Sequence, residues 1–182
     1  REARKKLMNG FLAISPDESK TIMINWIDHI KFSVRNRSID FSNIIYELEN
    51  FDAVFGKNFQ RSWKDNIGYL SANPSNSGAG AIFGGFVHTP GLVMTGQYGR
   101  LKRELRENGF LVKGIFDGGA EEVSGFLQVV LRNLANNNVE QLAGNVEATL
   151  IGITNKEIEA REMLWNKSRI QTEDKLSRSV GI

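Results

Sequence analysis

The chain contains no cysteine. Disulfides, zinc–thiolate sites, iron–sulfur clusters and a cysteine nucleophile are therefore excluded. Histidine occurs only twice, at His29 and His88, so one chain cannot assemble a multi-histidine metal site. No run of about 18 apolar residues occurs, and a membrane-spanning helix is not expected. The basic stretch Arg1–Met8 is not followed by an apolar core of about 7–15 residues, so it does not read as a secretory signal. The net charge is only +2, and no segment is basic enough to demand a polyanion. There is no G-x-S-x-G elbow and no Walker A pattern. Neither a cofactor nor a metal site is expected. The chain reads as soluble and suited to a reducing setting, cytoplasmic or in a virion.

What is present is enough for a folded domain. A chain of 182 residues fits one domain, or one domain with an extended arm. Hydrophobic residues make up 41% and include eleven Phe and three Trp. Roughly 70% of the unfolded surface can be buried at this length, so global disorder is excluded. Eleven of the 18 glycines fall between Gly78 and Gly119. Glycine reaches positive φ without a Cβ clash, so this block marks bends or close backbone approaches.

The flanks of that block read as helix. Ser15-Pro16-Asp17-Glu18 has the form of a capping box with proline at the first helical position. Met23, Trp26, Ile27, Ile30 and Val34 then follow helical spacing to about Asn36. Ser42 opens a second helix, with Ile44, Ile45, Leu48, Phe51 and Phe55 on its apolar stripe and Gly56 as its close. Phe59, Trp63, Ile67 and Leu70 mark a third. The run 71–80 contains only turn and loop formers. Residues 82–94 read as two short strands or as irregular extended chain. Helix returns over 97–108, with Leu101 and Leu105 inward and Gly109 as its stop. A short strand is expected within 110–116, and Asp117-Gly118-Gly119 reads as a turn. Further helices are expected over 120–135 and 139–151. Thr154-Asn155-Lys156-Glu157 reads as a second capping box that starts a C-terminal helix.

Several constellations bear on function. Gly78 to Gly84 has the spacing G-x-G-x-x-x-G, but a dinucleotide fingerprint needs a strand just before it, and Asn73-Pro74-Ser75-Asn76-Ser77 is a loop. The four residues Gly78-Ala79-Gly80-Ala81 resemble the exchange loop of bacterial effectors that activate Rho-family GTPases. That resemblance implies a partner-binding loop made of Gly78, Ala79, Gly80, Ala81, Ile82 and Phe83. Arg100, Lys102, Arg103 and Arg106 form a basic helix face, and with Lys113 they are candidates for contacting nucleic-acid phosphates. Glu104 and Glu107 dilute that field. His88 has no identifiable base or nucleophile partner and reads as a turn histidine. Glu121 and Glu122 sit in an expected first helical turn, and Glu157 serves a capping box, so no carboxylate pair is assigned to catalysis.

The expected fold is mainly α: two packed helical groups joined by a Gly-rich segment with room for a short β hairpin. Residues 1–166 form one helical domain, with a Gly-rich link over 72–96, and residues 167–182 form a polar C-terminal arm. The expected function is that of a non-enzymatic structural or interaction protein in a homo-oligomeric coat, tail, filament or secretion assembly. Two alternatives stand beside it: a nucleocapsid-like protein using the basic helix, and an effector engaging a small GTPase through the Gly78–Phe83 loop.

Overall fold

This computed structural model describes residues 10–25, 28–71, 77–114, 125–132 and 138–180, and eight strands and four helices lie among these described residues. The strands are β1 (Phe11–Ile14), β2 (Lys20–Ile24), β3 (Ile30–Val34), β4 (Trp63–Lys64), β5 (Gly68–Tyr69), β6 (Ile82–His88), β7 (Leu111–Lys113) and β8 (Phe126–Arg132). The helices are α1 (Ser42–Asn58), α2 (Pro90–Met94), α3 (Tyr98–Glu107) and α4 (Val139–Val180). Three antiparallel sheets, ordered β1-β2-β3, β4-β5 and β6-β8-β7, replace the expected mainly α architecture with an α/β one. The chain divides into two compact units, Arg1–Ala81 with Asn133–Glu147, and Ile82–Arg132 with Ala148–Ile182.

In the first unit, the expected capping box is a hairpin turn. The Glu18 amide donates to the Ser15 carbonyl at 2.9 Å, and the Ser15 amide donates to the Lys20 carbonyl at 3.0 Å. Proline after the first turn residue suits both structures, which is why the motif misleads. Asp17 accepts from the Ser15 and Ser19 hydroxyls, and these bonds lower its pKa to about 2. The residues assigned to the following helix lie instead in β2 and β3, with Ile22 opposite Phe32 and Ile24 opposite Ile30. Trp26 and Ile27 lie outside the described residues. β-Branched residues dominate these strands and favour a pleated surface over a helix.

The second expected helix is present as α1 and continues through Gly56 to Asn58. It packs Phe51 on Phe32 of β3, ring centroids 4.1 Å apart. The third expected helix is absent. Phe59 to Leu70 holds the β4–β5 hairpin, in which Trp63 pairs with Tyr69 and Asn66 takes φ 65° at the turn. Apolar residues spaced by 4, 4 and 3 mimic a helical stripe, but Asp65-Asn66 provides turn chemistry that a helix interior disfavours.

The second unit is organised by β8, the central strand of its sheet. The sequence predicts helix over 120–135, and of the described part, 125–132, residues 126–132 are strand. Leu127 and Val129 are fully buried, which is period-2 alternation rather than the period of a helix. β6 is one seven-residue strand rather than a two-strand hairpin. Helix α3 holds Tyr98, Leu101 and Leu105 inside, as its spacing implies, and Gly109 follows it with φ 83°. β7 falls within the expected strand region. The two C-terminal helices expected from the sequence are one element, α4, broken only at Ser168, where φ is −144° and ψ is 39°. The segment expected as a polar arm is helical as far as Val180.

Candidate functional site

The glycine-rich turn is held against β5. The Gly78 amide donates to the Tyr69 carbonyl at 2.9 Å, and the Tyr69 amide donates to the Gly78 carbonyl at 2.8 Å. Gly78 and Gly80 take φ 129° and 66°. A Cβ on Gly80 would stand 2.7 Å from the Tyr69 ring. The Tyr69 hydroxyl is bound to Arg61 at 3.0 Å and lies 3.3 Å from both Asp52 carboxylate oxygens. Burial, with the Asp52 charge beside it, raises the Tyr69 pKa above its ordinary value. Gly78 to Ala81 therefore form a packed turn. Of the remaining expected loop residues, Ile82 and Phe83 belong to β6, with Ile82 exposed and Phe83 buried.

The basic residues are split between two elements. Arg100, Lys102, Arg103 and Arg106 are on α3, whereas Lys113 is on β7. Arg100 pairs with Glu104 at 2.9 Å, and Lys156 reaches the same carboxylate at 2.9 Å. Hydrogen bonds from Lys156 and then Arg100 hold the Glu104 pKa below its ordinary value. Lys102 lies over the Tyr98 ring at 5.1 Å. Arg100 is thus paired locally with Glu104, a carboxylate that it shares with Lys156.

A different surface gathers chemistry that sequence spacing did not reveal. In β6-β8-β7 the inward residues Phe83, Leu127, Val129 and Val112 are buried. Leu150 of α4 comes so near the inner side of β6 that a Cβ on Gly85 would meet it at 2.5 Å. Side chains on adjacent strand positions alternate between faces, so the opposite face is open. His88 and Phe126 form one row across it, and Phe86, Gln128 and Lys113 form the next. Gly84, Val130 and Leu111 follow. His88 stacks on Phe126 with centroids 4.4 Å apart. Phe86 is 64% exposed, and Leu111 and Phe126 are also open to solvent. A Cβ on Gly84 would meet the Val129 carbonyl oxygen at 2.7 Å and Val130 Cγ2 at 3.0 Å, so this glycine allows β6 and β8 to approach closely. The available sequence signal was the alternation of Ile82, Gly84, Phe86 and His88.

The end of this face is clamped from behind. The Thr89 amide and hydroxyl both donate to the Gly125 carbonyl, at 2.6 and 2.8 Å. Glu157 of α4 accepts from the Gly91 and Leu92 amides at 2.8 and 2.9 Å. It also pairs with Arg161 at 2.6 Å. Glu157 is therefore not the acid of a capping box, since it lies inside a continuous helix. Glu121 and Glu122 lie outside the described residues. Among the described residues no group of three or more His, Asp or Glu is placed to hold a metal ion, and no helix is long and apolar enough to cross a membrane.

A sheet with helices on one side and an open aromatic surface on the other defines a layered α/β domain with a face available to a planar ligand. The chain belongs to the ATP:guanido phosphotransferase family: residues 2–164 match the C-terminal catalytic domain. It is 31% identical over 178 residues to a protein-arginine kinase of Symbiobacterium thermophilum, covering 98% of this chain and 50% of that protein. A protein-arginine kinase of Bacillus cereus is 27% identical over 173 residues, covering 95% and 49%. The chain thus spans about half the length of the curated relatives it matches. Among solved structures, a duplicated taurocyamine kinase from Schistosoma mansoni with bound transition-state-analogue components superposes with TM-score 0.69 at 17% identity, over 86% of this chain and 21% of that one. A lombricine kinase does so with TM-score 0.64 at 18% identity, over 82% and 41%. These two likenesses show the fold. Membership of a catalytic family overturns the expectation of a non-enzymatic assembly component, together with the nucleocapsid-like and GTPase-effector alternatives.

Proposed function

We propose that this chain is the catalytic domain of a kinase that transfers the γ-phosphoryl group of ATP to the guanidino group of a protein arginine. The match to the family's catalytic domain across residues 2–164 carries the reading. The choice of a protein arginine over a small guanidino compound follows the 31% identity to a protein-arginine kinase, against 17–18% to the taurocyamine and lombricine kinases. In this reaction a guanidino nitrogen attacks the γ-phosphorus. A nitrogen–phosphorus bond forms, the bond from the γ-phosphorus to the bridging oxygen breaks, and ADP leaves with that electron pair. The guanidinium gives up one proton. Such transfers depend mainly on positioning and on charge stabilisation.

The outward face of β6-β8-β7 suits the nucleotide. Phe86 and the His88–Phe126 stack offer π surfaces for the adenine ring. Lys113 brings a positive charge to the row of Phe86 and Gln128. Titration calorimetry with ATP tests this reading. The wild-type chain is expected to bind with a Kd within roughly 1 μM to 1 mM, the usual range for an enzyme's substrate. Phe86→Asp is expected to weaken binding by about tenfold, or ~1.4 kcal/mol, for the loss of one stacking surface. Phe86 is exposed, so the fold should survive the change. A wild-type chain that does not bind ATP would remove the proposal.

A further inference from the structure

We infer that Glu157 is a positioning residue for the nucleotide: from α4, through α2 and Thr89, it sets where His88 and Phe126 stand on the open sheet face. This inference rests on the nucleotide-face reading above. A carboxylate as buried as Glu157, whose side chain is 4% exposed, is costly unless its oxygens are satisfied. They are satisfied by the first amides of α2, at Gly91 and Leu92, and by Arg161. Helix α2 has a residue able to cap it locally, because Thr89 occupies the N-cap position and threonine is a favoured cap. Thr89 makes no cap hydrogen bond. Its hydroxyl is turned to the Gly125 carbonyl instead. Capping has been transferred to Glu157, and Thr89 is left to clamp the start of β8.

Two glycines make this arrangement possible. A Cβ on Gly91 would stand 3.0 Å from Glu157 Oε1 and 3.1 Å from Arg161 Cγ. Gly125 takes φ 62°, and a Cβ there would lie 3.2 Å from the Pro90 nitrogen. His88 directly precedes Thr89, and Phe126 directly follows Gly125. The clamp therefore connects the two residues whose rings stack across the strands. A shift at Glu157 moves α2, then Thr89 and Gly125, and so displaces the stacked pair.

Glu157→Gln in the full chain tests the inference. The amide keeps the shape but turns an NH2 donor toward a backbone N–H. The KM and Kd for ATP are expected to rise about tenfold, with the KM for the protein acceptor unchanged, because the displaced groups face the nucleotide. A merely structural defect would lower the amount of active enzyme, and hence apparent kcat, while leaving the KM for ATP in place. Gly91→Ala, which presses α2 off Glu157, gives a second route to the same signature should the first variant not fold. Exposed Glu159→Gln is the control and is expected to behave as wild type. If the wild type binds ATP and both clamp variants bind it within about twofold of wild type, the positioning role is overturned and the proposed function stands. If the wild type does not bind ATP, both are overturned.

Discussion

Asp17 shows how one residue can satisfy the rules of two structures. An acid beside Ser15 and Pro16 suits a helix start, and it suits a tight turn equally well. The turn is what forms, and the Ser15 and Ser19 hydroxyls lower the Asp17 pKa from 3.8 to about 2. Because the folded value lies below the unfolded one, the contribution to stability is present above about pH 4 and is lost as pH falls through about 2. Asp17→Asn is therefore expected to melt at a lower temperature than wild type at pH 7. The gap should close between about pH 4 and pH 2, and a gap that persists at pH 2 would contradict the assignment. Glu157 is a related case: Thr154 and Glu157 have the capping-box spacing, but the helix is already running when it reaches them. His88 reads as a turn residue in the sequence because its partner, Phe126, lies 38 positions away.

Elements stabilised by local spacing were legible, and those created by pairing were not. Helices α1 and α3 carry their apolar stripes in the sequence, and Gly109 marks the end of α3 as expected. Ile22 meeting Phe32, or Trp63 meeting Tyr69, is a cross-strand contact that a count of helical spacing does not register. β8 is the clearest case. Phe126, Leu127, Val130 and Leu131 fit helical spacing, whereas the burial of Leu127 and Val129 follows strand alternation, and placement between β6 and β7 decides the outcome. Leu127 is fully buried there, so Leu127→Ala is expected to cost about 2–5 kcal/mol in denaturant unfolding. A loss under about 0.5 kcal/mol, typical of surface changes, would contradict its place in the core. Gly85 gives a second check. Adding a methyl group drives it into Leu150, and Gly85→Ala is expected to cost about 1–3 kcal/mol. Combining it with Leu150→Ala should cost less than the sum of the two single changes, because the second removes the clash. Full additivity would show that the two positions do not touch.

At the scale of the whole molecule, the proposed nucleotide face was not legible in the sequence because it is a surface built by strand pairing. Phe86, His88, Lys113 and Phe126 come from three strands and carry no fixed motif. The glycine block reads as a binding loop, yet Gly78 to Gly80 form a turn packed on Tyr69. Family membership, rather than any recognisable cluster of acids and bases, identifies the chain as part of a phosphotransferase family. The most direct test is to incubate the full chain with γ-labelled ATP and an arginine-rich protein, and then map the modified residues by mass spectrometry under non-acidic conditions. The account predicts ATP-dependent phosphate on arginine side chains, with an acid-labile nitrogen–phosphorus bond. Label confined to serine, threonine or tyrosine hydroxyls, or no transfer by a chain that binds ATP, would contradict it.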